Sequence, residues 1–196
     1  MRALFSCGFV ILLASHAQAA DAPSWRIERG DVKILVPLKP GGAFTATTPS
    51  LSGTLALEQA AKPVRLTGEV SMDLTTIDTG IGLRNQHLRE KYLEVGKGKG
   101  FDRAVLSALQ LNGADGEAFE GRTGFSGMLV LHGVKHLVEG TVEIRREGAG
   151  RRVQAEFPLV LTDFGVTPPE YLGVGVASKL LVKVQLSAMP TRNSGN

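Results

Sequence analysis

Cysteine is all but missing from this chain. Cys7 is the one example among 196 residues, and it lies in an N-terminal stretch built like a removable leader. The mature protein therefore has no thiol, which excludes disulfide stapling, thiol catalysis and cysteine-ligated metals. An excess of one charge is missing too: 22 Lys and Arg face 19 Asp and Glu, and no basic stripe is interleaved with aromatics. Nucleic acid is thereby excluded as a partner. No apolar run approaches the roughly 20 residues that a membrane-spanning helix needs. Catalytic signatures are absent as well. There is no nucleophile elbow and no metal-binding helix, and Lys97-Gly98-Lys99-Gly100 lacks the spacing of a phosphate-binding loop. The chain reads as a non-enzyme that needs no cofactor or metal.

What is present begins with the leader. Residues 1–20 carry an early Arg2, an apolar run of 11 residues from position 4 to 14, and a small-x-small site at Ala17-Gln18-Ala19. That is the layout of a secretory signal peptide cut near Ala19. Cys7 precedes the apolar run instead of following it, so lipid attachment is rejected. Cleavage leaves 177 residues with a net charge of +2, enough for one domain with a substantial core. The expected organisation is a leader over 1–19, one domain over 20–190 and a polar, disordered tail over 191–196, the mature protein being periplasmic or secreted.

Within the domain the dominant pattern has a period of two, which is that of strands with one face buried. Val32, Ile34, Val36 and Leu38 alternate with polar or exposed partners, as do Leu51, Gly53, Leu55 and Leu57. The same holds from Val64 to Leu74, from Phe125 to Leu131, from Val138 to Ile144, from Val153 to Leu161 and from Leu180 to Ala188. A short strand is expected over 44–47. Residues 104–111 are apolar, yet Ser107 and Gln110 break both the strand and the helix pattern; strand is the reading adopted. One helix interrupts the series. After Gly82, the positions Leu88, Tyr92 and Val95 form an apolar stripe opposite Arg84, Arg89, Glu90, Lys91 and Glu94.

Eight or nine half-apolar antiparallel strands must either stack as two sheets or close on themselves. Gly53, Gly68, Gly127 and Gly140 fall on apolar faces, where glycine marks sharp bends or close approach. Strong bending favours closure, so the fold class is all-β: an extended antiparallel barrel of about eight strands with one amphipathic helix across it, a sandwich being the alternative.

Several segments then add a family resemblance. Thr76-Ile77-Asp78-Thr79-Gly80 followed by Arg84-Asn85-Gln86-His87-Leu88 resembles the signature of the YceI-like family. The segments from Phe125 through Gly133 to His136, Leu161-Thr162-Asp163-Phe164-Gly165-Val166, and Leu172-Gly173-Val174-Gly175-Val176 leading to Leu180–Val184 are similar to it as well. The resemblance implies a lipocalin-like barrel that holds a long isoprenoid chain, a polyisoprenoid or isoprenoid quinone, for carriage or buffering, in some settings under stress. Two places depart from it: Asn85-Gln86 stands where the family carries an acidic pair, and Leu93-Glu94-Val95-Gly96-Lys97 replaces an aromatic, proline-bearing stretch.

An eight-strand interior is just wide enough to be packed by side chains or to hold one ligand. Leu66, Val70, Leu129, Leu131, Val142, Phe157, Leu159 and Val182 either meet one another as a filled core or wall a tunnel; the resemblance favours the tunnel. The expected ligand-binding set adds Met72, Phe125, Gly127 and Phe164, with Leu88 and Tyr92 from the helix stripe. Arg84, His87 and Asp163 supply polarity, Arg84 and Asp163 either pairing across the mouth or meeting a head group. His132 and His136 are four apart across a glycine turn with no third ligand, so no metal is assigned. Rival readings use other residues. Thr75, Thr76, Asp78, His87 and Asp163 could supply acid–base chemistry on a lipid, whereas Leu35, Met128, Val130 and Leu181 would be the outer contacts of a ligand-free interaction protein. Beyond the isoprenoid lipid, the partners left open are transient membrane contact and a second barrel.

Overall fold

The structure is a computed structural model that describes residues 22–58, 62–171 and 173–191. The leader with Cys7 and the cleavage site near Ala19, and the tail beyond Thr191, lie outside the described residues. Eleven strands form one sheet: β1 (Ser24–Lys39), β2 (Ala43–Thr48), β3 (Leu51–Leu57), β4 (Val64–Asp73), β5 (Arg103–Leu111), β6 (Gly121–Leu131), β7 (Val134–Glu147), β8 (Gly150–Val160), β9 (Glu170–Tyr171), β10 (Val174–Val176) and β11 (Lys179–Pro190). Neighbours from β3 to β8 pair in sequence order, β8 pairs with β11, and β11 returns to β1, which pairs with β3. Every strand ladder is antiparallel, and the circuit closes an eight-strand barrel. Between closure and sandwich, closure is what forms.

β1 is longer than the alternation from Val32 to Leu38 suggests, because it starts at Ser24 and changes phase within itself. A bulge after Ile27 shifts the register against β11, so Trp25 and Ile27 face inward before it and Val32, Ile34 and Val36 after it. β2 and β3 continue one another across Pro49 and Ser50. Val32 lies opposite Thr48 and Trp25 opposite Leu55, a single register along β1. Proline has no amide hydrogen to give the ladder and interrupts it there. A second bulge explains the broken pattern of residues 104–111. Ala108 has φ 49°, and the β5 ladder skips around it, so Ala104 and Leu106 point inward on one side and Leu109 and Leu111 on the other. Bulges of this kind raise local twist and are frequent in barrels.

The glycines are sites of close approach. A Cβ on Gly53 would lie 2.1 Å from the Glu69 carbonyl oxygen, and one on Gly68 would lie 2.1 Å from that of Thr54. At Gly140 it would meet Phe157 and the Phe125 ring, which pack edge to face above the backbone with centroids 5.9 Å apart. His132 and Gly133, both with positive φ, form the two-residue turn between β6 and β7, the dihedral signature of a hairpin turn that follows strand twist.

The helix is shorter and less regular than the sequence suggests. α1 (Gly82–His87) is a regular α-helix, and Leu88–Tyr92 continues it as a wider π turn that ends when the Leu93 amide donates to the Leu88 carbonyl at 2.9 Å. Glu94 then turns left-handed at φ 51°, so Val95 belongs to a separate 3-10 turn. The segment lies across the barrel end formed by the C-terminal ends of β4 and β6 and the start of β11. The opposite end holds Ser24 and Thr191, where the Thr191 amide donates to the Ser24 carbonyl at 2.9 Å. Among the described residues no helix is long and apolar enough to cross a membrane.

Candidate functional site

The inward side chains of the strands pack along the wall but do not fill the interior. They surround a cavity of about 720 Å³ that runs from the helix end to the loop between β5 and β6, within the roughly 300–1,000 Å³ of ordinary ligand sites. Its walls are aliphatic and aromatic. Leu66, Val70 and Met72 come from β4, Phe125, Leu129 and Leu131 from β6, Val142 from β7, Phe157 and Leu159 from β8, and Val182 from β11. Each reaches the lumen because alternate positions of a strand share one face. Leu88 and Tyr92 close the helix end, with Arg84 and His87 beside them. Polar side chains occur only at the extremities: Thr79, Arg84, His87 and Glu170 near the helix, Glu117 and Arg151 at the far end.

Three residues expected in the site stand apart from the lumen. Gly127 shares the inward face of Phe125 and Leu129, but the space above it is taken. Leu106 Cδ1 and Leu109 Cδ2 lie 2.9 and 3.0 Å from where its Cβ would be, because the Ala108 bulge brings both leucines to one side. Gly127 makes room for packing, not for a ligand. Phe164 is fully buried outside the lumen, edge-on to His136 at 5.7 Å, whereas Leu161 and Val166 of the same turn point in. Asp163 sits exposed on that turn and is not among the partners of Arg84. Arg84 instead donates to the Thr79 hydroxyl at 2.9 Å and to the Thr79 carbonyl at 2.5 Å, with its guanidinium 3.9 Å above the Phe44 ring.

Other lumen residues carry no mark in the sequence pattern. Phe44 and Ala46 from β2 were masked by the brevity of that strand. Leu106 and Leu109 were hidden by the bulge, and Leu93 by the wide turn that carries it to the side of Leu88. Ile81 and Leu83 reach the lumen while remaining exposed. No period could have found them, since they enter before the helix stripe begins.

Asn85 organises the approach to the helix. Its Oδ1 accepts from the Thr79 amide at 2.7 Å and from the Thr79 hydroxyl at 2.6 Å, while Nδ2 donates to Asp78 Oδ1 at 2.7 Å. That donation and a second from the Gly80 amide hold the Asp78 carboxyl below its ordinary range. Arg89 reaches back to the Ile77 carbonyl at 2.5 Å, and its buried Nε has no partner among the described residues. At the other side of the helix, Glu94 bonds His132 Nε2 at 2.9 Å and Lys97 at 2.8 Å. Lys97 first and His132 second pull the Glu94 carboxyl down. A smaller polar cleft beside this network shares Tyr92, Pro169 and Glu170 with the lumen.

Residues suggestive of acid–base chemistry do not converge. Thr75 bonds Asp73, Thr76 bonds Thr48, and Asp78 is committed to Asn85 and Gly80; of the five, only His87 lines the lumen. Among the described residues no group of three or more His, Cys, Asp or Glu could hold a metal ion.

A closed antiparallel barrel around an apolar lumen, with one short helix over its end, defines the lipocalin-like class of fold. Within that class the chain belongs to the YceI-like family, whose domain matches residues 29–188. Solved structures agree on the fold. BcnA of Burkholderia cenocepacia superposes with a TM-score of 0.61 at 18% identity, over 81% of this chain and 96% of that one. A domain from Saccharophagus degradans, described as polyisoprenoid-binding and implicated in plant cell wall breakdown, gives 0.61 at 16% identity, over 85% and 98%. The YceI protein of Campylobacter jejuni gives 0.51 at 12% identity, over 96% and 94%. A comparison with curated protein sequences finds no match.

Proposed function

We propose that this protein is an exported carrier or buffer that holds one amphiphile by its long apolar tail, a polyisoprenoid or isoprenoid quinone, and does not turn it over. The observation that carries this reading is a lumen of about 720 Å³ with aliphatic and aromatic walls and polar groups only at its ends. A hydrocarbon tail suits such a space because burial is favourable without directional contacts, at about 0.8 kcal/mol per CH₂. Each isoprene unit then contributes roughly 3 kcal/mol before ordering costs. At about 30 Å³ for each group of water size, the space takes roughly two dozen such groups, or four to five isoprene units. A longer chain leaves its remainder outside. Thr79, Arg84, His87 and Glu170 would stand beside the head group, Arg84 held by the neutral oxygens of Thr79 and unpaired with any carboxylate among the described residues. The likeness to a structure described as a polyisoprenoid-binding domain supports the ligand class. Export rests on the leader at residues 1–19, and release into the periplasm or beyond follows from its removal.

The test is to purify the protein from its native compartment, extract it with organic solvent and identify what is released by mass spectrometry. A near-stoichiometric isoprenoid is the expected result. An empty protein that hydrolyses a lipid ester would replace this reading with an enzyme. An empty and inert one would leave an interaction protein, with Leu35 and Leu181, cross-strand neighbours on the outer wall, among its contacts.

A further inference from the structure

A tail that lives in a barrel must enter it from somewhere, and the rim at the helix end has an unusual surface. Of the exposed large apolar side chains among the described residues, the three most exposed are Leu83 at 63%, Ile81 at 53% and Val174 at 52%. All three also line the lumen. They belong to two separate elements, the start of α1 and β10, which come to the same barrel end because β10 pairs with the last residues of β1. The apolar wall of the lumen thus continues out over the lip into solvent, where isolated apolar residues would be ordinary but three at one mouth are not.

Charge is concentrated at the same place. Residues 81–99 carry five Lys and Arg against two acidic residues, an excess of three positive charges, as large as that of the whole chain. The acidic members are Glu90 and Glu94, and Glu94 is taken up by Lys97 and His132. Arg84 and Arg89 donate to neutral oxygens, Thr79 and Ile77, and so keep their charge. Asp78 on the preceding loop and Glu170, opposite Gly175 of β10, lie close by and offset part of it.

We propose that this rim docks on an anionic lipid bilayer, with Ile81, Leu83 and Val174 entering the interface and the exposed Lys91 and Lys99 facing the lipid phosphates. The inference rests on the tail-binding reading, since an amphiphile with a long tail resides in a bilayer. Docking the lip there lets the tail pass from one apolar medium to the other without crossing water. Apolar insertion combined with basic residues is how peripheral surfaces bind membranes.

Flotation of the purified chain with vesicles tests the docking, and uptake of a fluorescent long-chain fatty acid in the absence of vesicles tests the lumen separately. The chain is expected to float with phosphatidylglycerol–phosphatidylcholine vesicles and to stay behind with phosphatidylcholine alone. Lys91→Glu combined with Lys99→Glu should weaken flotation about tenfold or more, with fatty-acid uptake retained. Ile81→Ser combined with Leu83→Ser should weaken it by a similar factor. Wild-type protein that fails to float while still taking up the fatty acid would overturn the docking and leave the carrier reading in place. Equal flotation of wild type and both variants would also overturn it. Failure of fatty-acid uptake by a protein that floats would count against the lumen alone.

Discussion

Asn85 presents one face to Thr79 as an acceptor and the other to Asp78 as a donor, a combination that an amide supplies and a carboxylate does not. Asn85→Asp keeps the acceptor and sets a second negative charge against Asp78. The expected result is a melting temperature a few degrees lower at neutral pH. The deficit should shrink as pH falls through the carboxylate range, because one of the two acids then takes up a proton and donates to the other. Thermal melts of both proteins across pH check this, and a constant deficit would mean that charge is not the cause. In the sequence Asn85 stands out only against the pattern the resemblance implies, and its pairing with Asp78 depends on how the loop folds back on the helix. Gly127 carries the opposite lesson. Its alternation with Phe125 and Leu129 placed it on the correct face, yet alternation reports direction and not free space. Two leucines from β5 already occupy its side of the barrel.

Elements that keep one period were legible over their central residues, as β6, β7, β8 and β11 show, although β6 and β7 begin ahead of the alternation at Gly121 and Val134. Those that change period were not. β1 and β5 each contain a bulge that reverses which residues point inward, so a fixed period of two fails partway along them. In the helical segment the stripe of Leu88 and Tyr92 was read correctly, but the wide turn and left-handed Glu94 end it before Val95. That turn is fastened by Glu94 to Lys97 and His132. Because the Glu94 carboxyl is held below its ordinary 4.5, the bond stabilises fully above that pH and is lost as pH drops through the lowered value. The protection of residues 93–98 against amide exchange, taken relative to the intrinsic rate at each pH, should therefore fall on acidification, within about fivefold for an ion pair this exposed. Glu94→Gln should flatten that response. An unchanged profile in the variant would assign the acid sensitivity elsewhere.

Across the whole barrel, the decisive property is that walls built from eight strands leave a void instead of interdigitating. Sequence alternation alone left both outcomes open, because the same inward Leu66, Val142 and Phe157 serve a filled core equally well. What decides between them is strand number, tilt and the bulges together, none of which a period reports. Leu129→Trp adds bulk into that space. Uptake of a fluorescent fatty acid should fall about tenfold or more, while the melting temperature stays within a few degrees because the ring fills existing volume. Unchanged uptake would remove the lumen as the site. The bond between Thr191 and Ser24 has a practical corollary for anyone handling this protein. Both ends of the barrel's chain emerge side by side at the pole farthest from the helix. A tether fixed to either end would therefore hold the molecule upright with its lip facing outward, free to meet whatever surface is offered.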